Sequence, residues 1–388
     1  MILGGGHAEI PLIEAAKDYG YYVITTGNHK EGLGHPMADK FILGDFSNKE
    51  LMLDIARKEH ISAICSGCND FALLSTAYVA EQLGIKGHDS YDTSIILHHK
   101  NCYRDFAQAN SIPTPKAIKC FKSEEIETIC HQFKFPVMVK PIDLTGGKGV
   151  QRCETVEEVQ KAFEEAITLT RMKYILIEEF VEGSNHGFSA LIQDKKVRFY
   201  FADNEQYYSN KYMVGGASTP TAVPKSAVDK LIQYSELMAE KLQLVDGILH
   251  IQFILNQENE PIIIEVCRRA PGDLYVRFVE LATGFNYSGA IVACEAGLPR
   301  IQYDFISPKD YWIRHCIMSN QEGIFKEIKY EESIKPYLVE KMIWAKEGEM
   351  IQNKLTYKAG IVFLKCATKE EQEEILKNIN RKIRIQLL

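Results

Sequence analysis

Phe135-Pro136-Val137-Met138-Val139-Lys140-Pro141, followed by Thr145-Gly146-Gly147-Lys148-Gly149-Val150, is the stretch around which this chain is organised. A short apolar run bounded by prolines reads as a buried strand. It ends on a lysine, and a buried ammonium is costly unless something anionic meets it. The glycines that follow let backbone N–H groups approach an anion more closely than a residue with a Cβ would allow. Lys140 and a flap carrying Lys148 therefore make a candidate phosphate cradle. No glycine-lysine-serine/threonine opens a helix after it, so it is not a Walker A loop. The plain alternative is a surface β-hairpin with Gly-Gly at its turn; what lies downstream favours the cradle.

A chain of 388 residues is too long for one small core, and two or three domains are expected. Its net charge of −7 argues against a dominant nucleic-acid or anionic-membrane surface. No apolar run reaches the roughly 18–20 residues of a membrane span. The amino terminus lacks the basic region and cleavage site of a signal peptide. The 10 scattered cysteines are most simply reduced, buried thiols of a cytoplasmic protein. Cys65-Ser66-Gly67-Cys68 has redox or zinc spacing, but no second pair matches it, so it reads as packing plus a glycine turn.

Taken in order, Met1–Gly6 opens a strand and a glycine run, and a helical pattern covers Pro11–Tyr19. Tyr21–Thr26 and Phe41–Leu43 read as strands, Asn48–His60 as a helix, Ile61–Cys65 as a strand and Phe71–Leu83 as a helix. This alternation implies parallel strands with crossover helices, a Rossmann-like segment over 1–88. Gly4-Gly5-Gly6 lacks the third glycine of a dinucleotide fingerprint, and no acid ends the second strand, which excludes NAD. One helix spans Thr93–Ala109 and is closed by Ile112-Pro113-Thr114-Pro115. Residues 116–182 read strand, helix, strand, helix, strand, with Ser123 and Thr155 as expected N-caps. Gly187–Ile192, Val197–Ala202, Ile248–Leu255 and Pro261–Val266 read as antiparallel strands, with a helix at Lys225–Leu242. The polar turn Asn256–Asn259 sets Gln252 opposite Glu265 across one ladder. Four strands and a charged helix over 301–388 make a small β-rich lobe.

Four motifs in this order resemble the ATP-grasp superfamily over roughly residues 1 to 300. They are Lys100 with Ile112-Pro113-Thr114-Pro115, Pro136–Pro141 with Gly146–Gly149, Glu178-Glu179-Phe180-Val181-Glu182-Gly183, and Glu265-Val266-Cys267-Arg268-Arg269-Ala270-Pro271-Gly272. The resemblance implies a Rossmann-like domain, an ATP-grasp fold of two α+β subdomains over 89–300, and a carboxy-terminal lobe like that of the purine-pathway and biotin enzymes. It places Lys100 and Lys140 on the nucleotide phosphates, and Gly146, Gly147, Lys148 and Gly149 over the β- and γ-phosphates. Glu178, Glu179, Phe180 and Val181 would hold the adenine edge, with Phe253 and Ile264 sandwiching the ring.

Two departures stand out. Where many members place a ribose-binding glutamate, this chain has Ser184-Asn185-His186; His186 is the ribose or phosphate candidate, and a solvent-facing loop histidine the alternative. The metal set is Gln252, Glu265 and Cys267. Mg²⁺ (or Mn²⁺) prefers hard oxygen donors, so Gln252 and Glu265 are candidate ligands and Cys267 is not. A guanidinium fork suits a carboxylate or a transferring phosphoryl group. Arg269 matches the family arginine that stabilises an acyl phosphate. For Arg268 a surface salt bridge is favoured over catalysis. Asp273 would orient Arg269 or bind the amine; Arg314 and His315 on their strand could reach the substrate, with packing and a surface pair the favoured reading.

The resemblance implies ATP-dependent ligation of a small carboxylate to an amine through an acyl phosphate, with Mg²⁺ and without a covalent enzyme nucleophile. It carries no nucleic-acid or membrane partner; dimers are frequent among similar enzymes. Two rivals are another ATP-grasp chemistry, such as bicarbonate activation or thiol ligation, and a nucleotide-binding protein with degraded catalysis, motivated by Cys267.

Overall fold

The structure, a computed structural model, describes residues 1–142, 147, 149–170, 173–300 and 308–388. Alternating strands and helices at the amino terminus give β1 (Ile2–Leu3), α1 (Ile10–Asp18), β2 (Ile24–Gly27), β3 (Lys40–Leu43), α2 (Lys49–Lys58) and α3 (Asp70–Leu83). The strands pair in parallel in the order β1-β2-β3. The expected strand at Ile61–Cys65 contributes only a parallel bridge from Cys65 to Ile2. Beyond the carboxyl ends of β1 and of that bridge lie the loops Gly4–His7 and Gly67–Asp70. Glu9 ties them together, accepting from Gly6 N at 2.8 Å and from Cys68 N at 2.9 Å. Gly67 is required there: its φ is +59°, and an added Cβ would stand 2.3 Å from the Leu3 carbonyl oxygen.

The helix expected over Thr93–Ala109 is two helices, α4 (Tyr91–His98) and α5 (Lys100–Ala109), broken at His99 with an extended ψ of 115°. A small sheet follows: β4 (Ala117–Cys120), α6 (Ile126–Cys130), β5 (Val137–Lys140), β6 (Gln151–Cys153), α7 (Val156–Leu169) and β7 (Ile175–Glu179). Its order is β4-β7-β5-β6, all antiparallel. Val137 and Val139 pack with Phe163 and Ala166 of α7, so strand alternation turns Met138 and Lys140 to the opposite face. Thr155 caps α7 as expected, accepting from Glu158 N. Ser123 does not cap; it opens a 3₁₀ turn ahead of α6.

The remaining elements are β8 (Ser184–Gln193), β9 (Lys196–Tyr207), β10 (Val214–Thr219), α8 (Lys225–Lys241), β11 (Gly247–Leu255), β12 (Pro261–Cys267), α9 (Tyr275–Thr283), α10 (Tyr287–Glu295), β13 (Tyr311–Met318), β14 (Gly323–Tyr330), β15 (Leu338–Ile343), β16 (Met350–Ile351), β17 (Lys358–Cys366), α11 (Lys369–Lys382) and β18 (Ile383–Leu387). The last strands were expected as a lobe of their own. Instead β13, β17 and β15 extend one eight-stranded sheet, β12-β11-β8-β9-β10-β13-β17-β15, while β14, β16 and β18 form a small separate sheet. The joint is β10, whose Gly216, Ala217, Ser218 and Thr219 pair with His315, Arg314, Ile313 and Trp312. Its Gly-Gly-Ala-Ser-Thr composition hides it from apolar periodicity. On one face of the sheet Leu249, Ile251, Phe253 and Val266 pack with Ala227, Val228 and Leu231 of α8. On the other, Phe199 and Phe201 pack with Tyr275, Phe278 and Tyr287 of α9 and α10.

Candidate active site

Lys140 ends β5 on the face away from the α7 core and pairs with the Glu178 carboxylate of β7. Glu178 is 1% exposed, a position a carboxylate holds only when fully compensated. Its other oxygen accepts from Arg104 Nε at 3.3 Å and Nη2 at 3.1 Å. Burial alone would raise the Glu178 carboxyl, but Arg104 and Lys140 outweigh it and hold it below the ordinary value. Arg104 Nη2 also donates to the Ile264 carbonyl of β12 at 2.8 Å. One buried guanidinium thus joins the small sheet to the large one. Lys100 lies one helical turn before it on α5, and i,i+4 spacing puts both cations on one face.

Lys100 Nζ donates to Glu265 Oε1 at 3.0 Å. A cation in the first turn of a helix opposes the helix dipole, and Glu265 offsets that. Burial would lower the Lys100 ammonium; the carboxylate beside it outweighs burial, and the shift is upward. Gln252 pairs with Glu265 across the β11–β12 ladder, as the polar turn predicted. One residue later Phe253 pairs with Ile263, so Ile264 is the extra residue of a β-bulge. The bulge places Ile264 and Glu265, both half-buried, on the same side, away from the core, with core-packed Ile263 and Val266 flanking them. Phe253 corrects the sequence reading. It is unexposed and packs in the α8 core, because alternation along β11 sends it to the face opposite Gln252.

Gln252 Nε2 donates to Glu205 Oε1 at 2.8 Å, and Tyr207 OH to Glu205 Oε2 at 2.6 Å. Glu205 is an acid the sequence reading missed. Burial and the nearby Asp203 push its carboxyl up to about 7. Asp203, two residues before it on β9, is pushed up to about 6 by burial and accepts from Tyr275 OH. Among the described residues no cluster of three or more His, Cys, Asp or Glu side chains forms a metal cage. Cys267 is buried and its thiol is pushed up to about 11 by burial, so it stays protonated.

The adjacent arginines diverge. Arg268 is not at the surface. It is buried, with Nε on Asp89 Oδ2 at 2.7 Å and Nη2 on the Val245 carbonyl at 2.7 Å, and Nη1 on the Ile248 carbonyl. Each of its nitrogens is bound to protein, a structural clamp without a free donor edge. Arg269 donates from Nε to Asp70 Oδ1 at 2.5 Å and from Nη1 to the Ala270 carbonyl at 2.9 Å. Against burial, Arg269 holds the Asp70 carboxyl down to about 2. Asp273 is committed as well: Lys358 Nζ reaches its Oδ2 at 2.5 Å and the buried Arg314 donates to its carbonyl at 2.8 Å. It ties the loop after β12 to β13 and β17 of the same sheet rather than standing open to an amine. His315 is unexposed, with Nδ1 on Tyr208 OH at 2.9 Å.

His186 is not a loop residue. It lies on β8, 3% exposed, stacked 5.5 Å from the Phe253 ring centroid. Its Nε2 meets Ser184 Oγ at 2.7 Å and its Nδ1 the Asp203 carbonyl at 3.1 Å. Both ring nitrogens are satisfied without a ligand. Glu179 N donates to the Lys116 carbonyl at 2.9 Å, and Phe180 and Val181 lie half-buried between β7 and β8. In the flap, Gly147 and Gly149 take φ of +71° and +70°; Gly146 and Lys148 lie outside the described residues. Arg104 and Asp70 were missed because they act across long sequence separations, and Glu205 because its link to Gln252 spans 47 residues. The i,i+4 pair Lys100/Arg104 and the i,i+2 pair Glu205/Tyr207 were local signals.

Residues 99–272 match the ATP-grasp domain family model. Among known sequences it is similar to the carbamoyl phosphate synthase large chain, C-terminal section, of Methanopyrus kandleri, 21% identical over 72% of this chain. It is also similar to phosphoribosylamine–glycine ligase of Pyrococcus furiosus, 27% identical over 68% of this chain. The chain spans 52% and 64% of the lengths of these two relatives. Among solved structures, an L-amino acid ligase from Bacillus licheniformis superposes with a TM-score of 0.84 at 19% identity, covering 100% of this chain and 98% of that one. Phosphoribosylglycinamide synthetase from Anaerococcus prevotii gives 0.78 at 22% identity, covering 100% and 98%. Both share the fold. Among the described residues no helix is long and apolar enough to cross a membrane.

Proposed function

We propose that this chain is an ATP-dependent ligase that joins a small carboxylate to an amine through an acyl phosphate and releases ADP. The observation that carries the reading is the unbroken run Lys140–Glu178–Arg104–Ile264 carbonyl, one residue from the Glu265–Lys100 pair. It links Lys140 of the small sheet, through Arg104 of α5, to the strand of the large sheet that carries Glu265. Lys140 and Lys100 neutralise the phosphates, and the carbonyl of Glu179 with the N–H of Val181 faces the adenine edge. The flap at Gly147 and Gly149 covers the phosphates and excludes water, protecting an acyl phosphate from hydrolysis. Arg269 offsets the charge that develops as the carboxylate oxygen bonds to the γ-phosphorus and the bridging oxygen leaves.

The metal donors fit a hard cation sparingly. Glu265 offers a carboxylate and Gln252 an amide oxygen, its nitrogen being turned to Glu205. These two residues would hold Mg²⁺, which supplies charge neutralisation at the phosphates. A protonated Cys267 where a third oxygen donor belongs favours a second reading, nucleotide binding with weakened catalysis. Cys267→Asn separates the two: on the ligase reading the Mg²⁺ concentration for half-maximal ADP release falls. The main test is a coupled ADP-release screen of acids against amines, with hydroxylamine as a trap and Lys140→Ala and Glu265→Ala as blanks. Tight ATP binding with no ADP formed across a broad panel refutes the ligase.

A further inference from the structure

We propose that Asp70, from the amino-terminal α/β segment, is the positioning residue that aims Arg269 at the transferred phosphoryl group. The inference rests on the ligase reading above and makes the amino-terminal segment a working part of that site.

The contrast between two neighbouring guanidinium groups is the first support. Arg268 has each nitrogen bound to protein, to Asp89 and to two carbonyls. Arg269 has only one edge fixed, Nε by Asp70 Oδ1 at 2.5 Å and Nη1 by the Ala270 carbonyl. Its Nη2 has no protein partner among the described residues. A flexible side chain held at two atoms and open at a third is preorganised for an external anion.

The anchor is itself well fixed. Asp70 is 8% exposed in the first turn of α3, behind the N-cap Asn69. A carboxylate there is favoured by the helix dipole. Glu9 locks the Gly67–Asp70 loop to the Gly4–His7 loop. His98 Nδ1 lies 4.0 Å from Asp70 Oδ1, two residues before the phosphate candidate Lys100. One acid of the amino-terminal segment therefore faces both the arginine and the end of α4, just ahead of Lys100.

The test uses the full chain, with hydroxylamine-trapped ADP release as the assay. Asp70→Ala is expected to lower kcat about 100-fold, the scale of a misplaced catalytic group, with KM for ATP changed less than about twofold. Asp70→Asn, which keeps an oxygen acceptor, recovers part of the loss. Asp70→Ala combined with Arg269→Ala falls no further than Arg269→Ala alone. Additive losses, or equal changes in kcat and KM, overturn the assignment. A second readout is independent of turnover: the Arg269 Nε–H resonance in ¹⁵N NMR is sharp and slow to exchange in the wild type, exchanges faster but persists in Asp70→Asn, and is lost in Asp70→Ala. Its persistence in Asp70→Ala overturns the proposal. A wild type that releases no ADP from any acid refutes the ligase reading, and the resonance still decides whether Asp70 holds Arg269.

Discussion

Glu178→Gln is the substitution whose consequence follows most directly from the structure. The carboxylate is 1% exposed and is the counter-charge of two cations, Arg104, 2% exposed, and Lys140. Removing one partner of a buried ion pair costs about 3–5 kcal/mol, because the remaining charge stays desolvated and unpaired. At about 2–4 °C per kcal/mol for a domain of about 150–250 residues, the melting transition containing the small sheet falls by about 6–20 °C. Glu179→Gln, on the exposed neighbour, is the control and changes stability by less than about 1 kcal/mol. Calorimetry at neutral pH without nucleotide reads both. The acid limb gives a second signature. A folded-state carboxyl held below its ordinary value of 4.5 contributes stability that is present above that value and lost as pH falls through the folded value. The gap between wild type and Glu178→Gln therefore closes on acidification below about pH 4.5. A variant melting within about 2 °C of wild type, or a gap indifferent to pH, refutes the reasoning.

Lys140→Ala removes one charge-assisted contact to phosphate, worth about 1.5–3 kcal/mol, and weakens ATP about 10–100-fold in a titration; unchanged affinity would exclude Lys140 from the cradle. Arg268→Met leaves Asp89 buried and unpaired, so the melt drops while kcat per folded molecule stays within about twofold of wild type. A large kcat loss in fully folded protein would return Arg268 to the catalytic set. For Glu205, burial pushes the folded-state carboxyl up to about 7, so the folded chain holds a proton that the unfolded chain releases. Stability then falls as pH rises from the ordinary carboxylate range to about 7, and Glu205→Gln flattens that slope in pH-dependent melts. A slope unchanged in the variant assigns it to another group.

The parts of the site legible in sequence are those set by local chemistry. Lys140 closes an apolar run, and Gln252 meets Glu265 because a polar turn fixes the register of their hairpin. The bulge at Ile264 carries no such signal, and without it Ile264 and Glu265 would face opposite sides. Phe253 was assigned to the adenine from the family pattern, although strict alternation separates it from Gln252. The arginines could not be told apart locally. Their roles are decided by Asp89 and Asp70, which stand 179 and 199 residues away in the chain. His99 breaks a helix through its backbone angle alone, and β10 has too few apolar residues to show a period.

The pairing of β10 with β13 bears on how this chain tolerates cutting. A break near residue 300 looks natural in sequence, yet it would strip β13, β17 and β15 from β10 and leave bare the donors and acceptors that Gly216–Thr219 turn toward β13. Such a truncated edge invites pairing with any passing strand. The carboxy-terminal strands are selvedge woven into the same cloth, so shortened versions are expected to precipitate, whereas insertions are better borne at surface turns such as Asn256–Asn259.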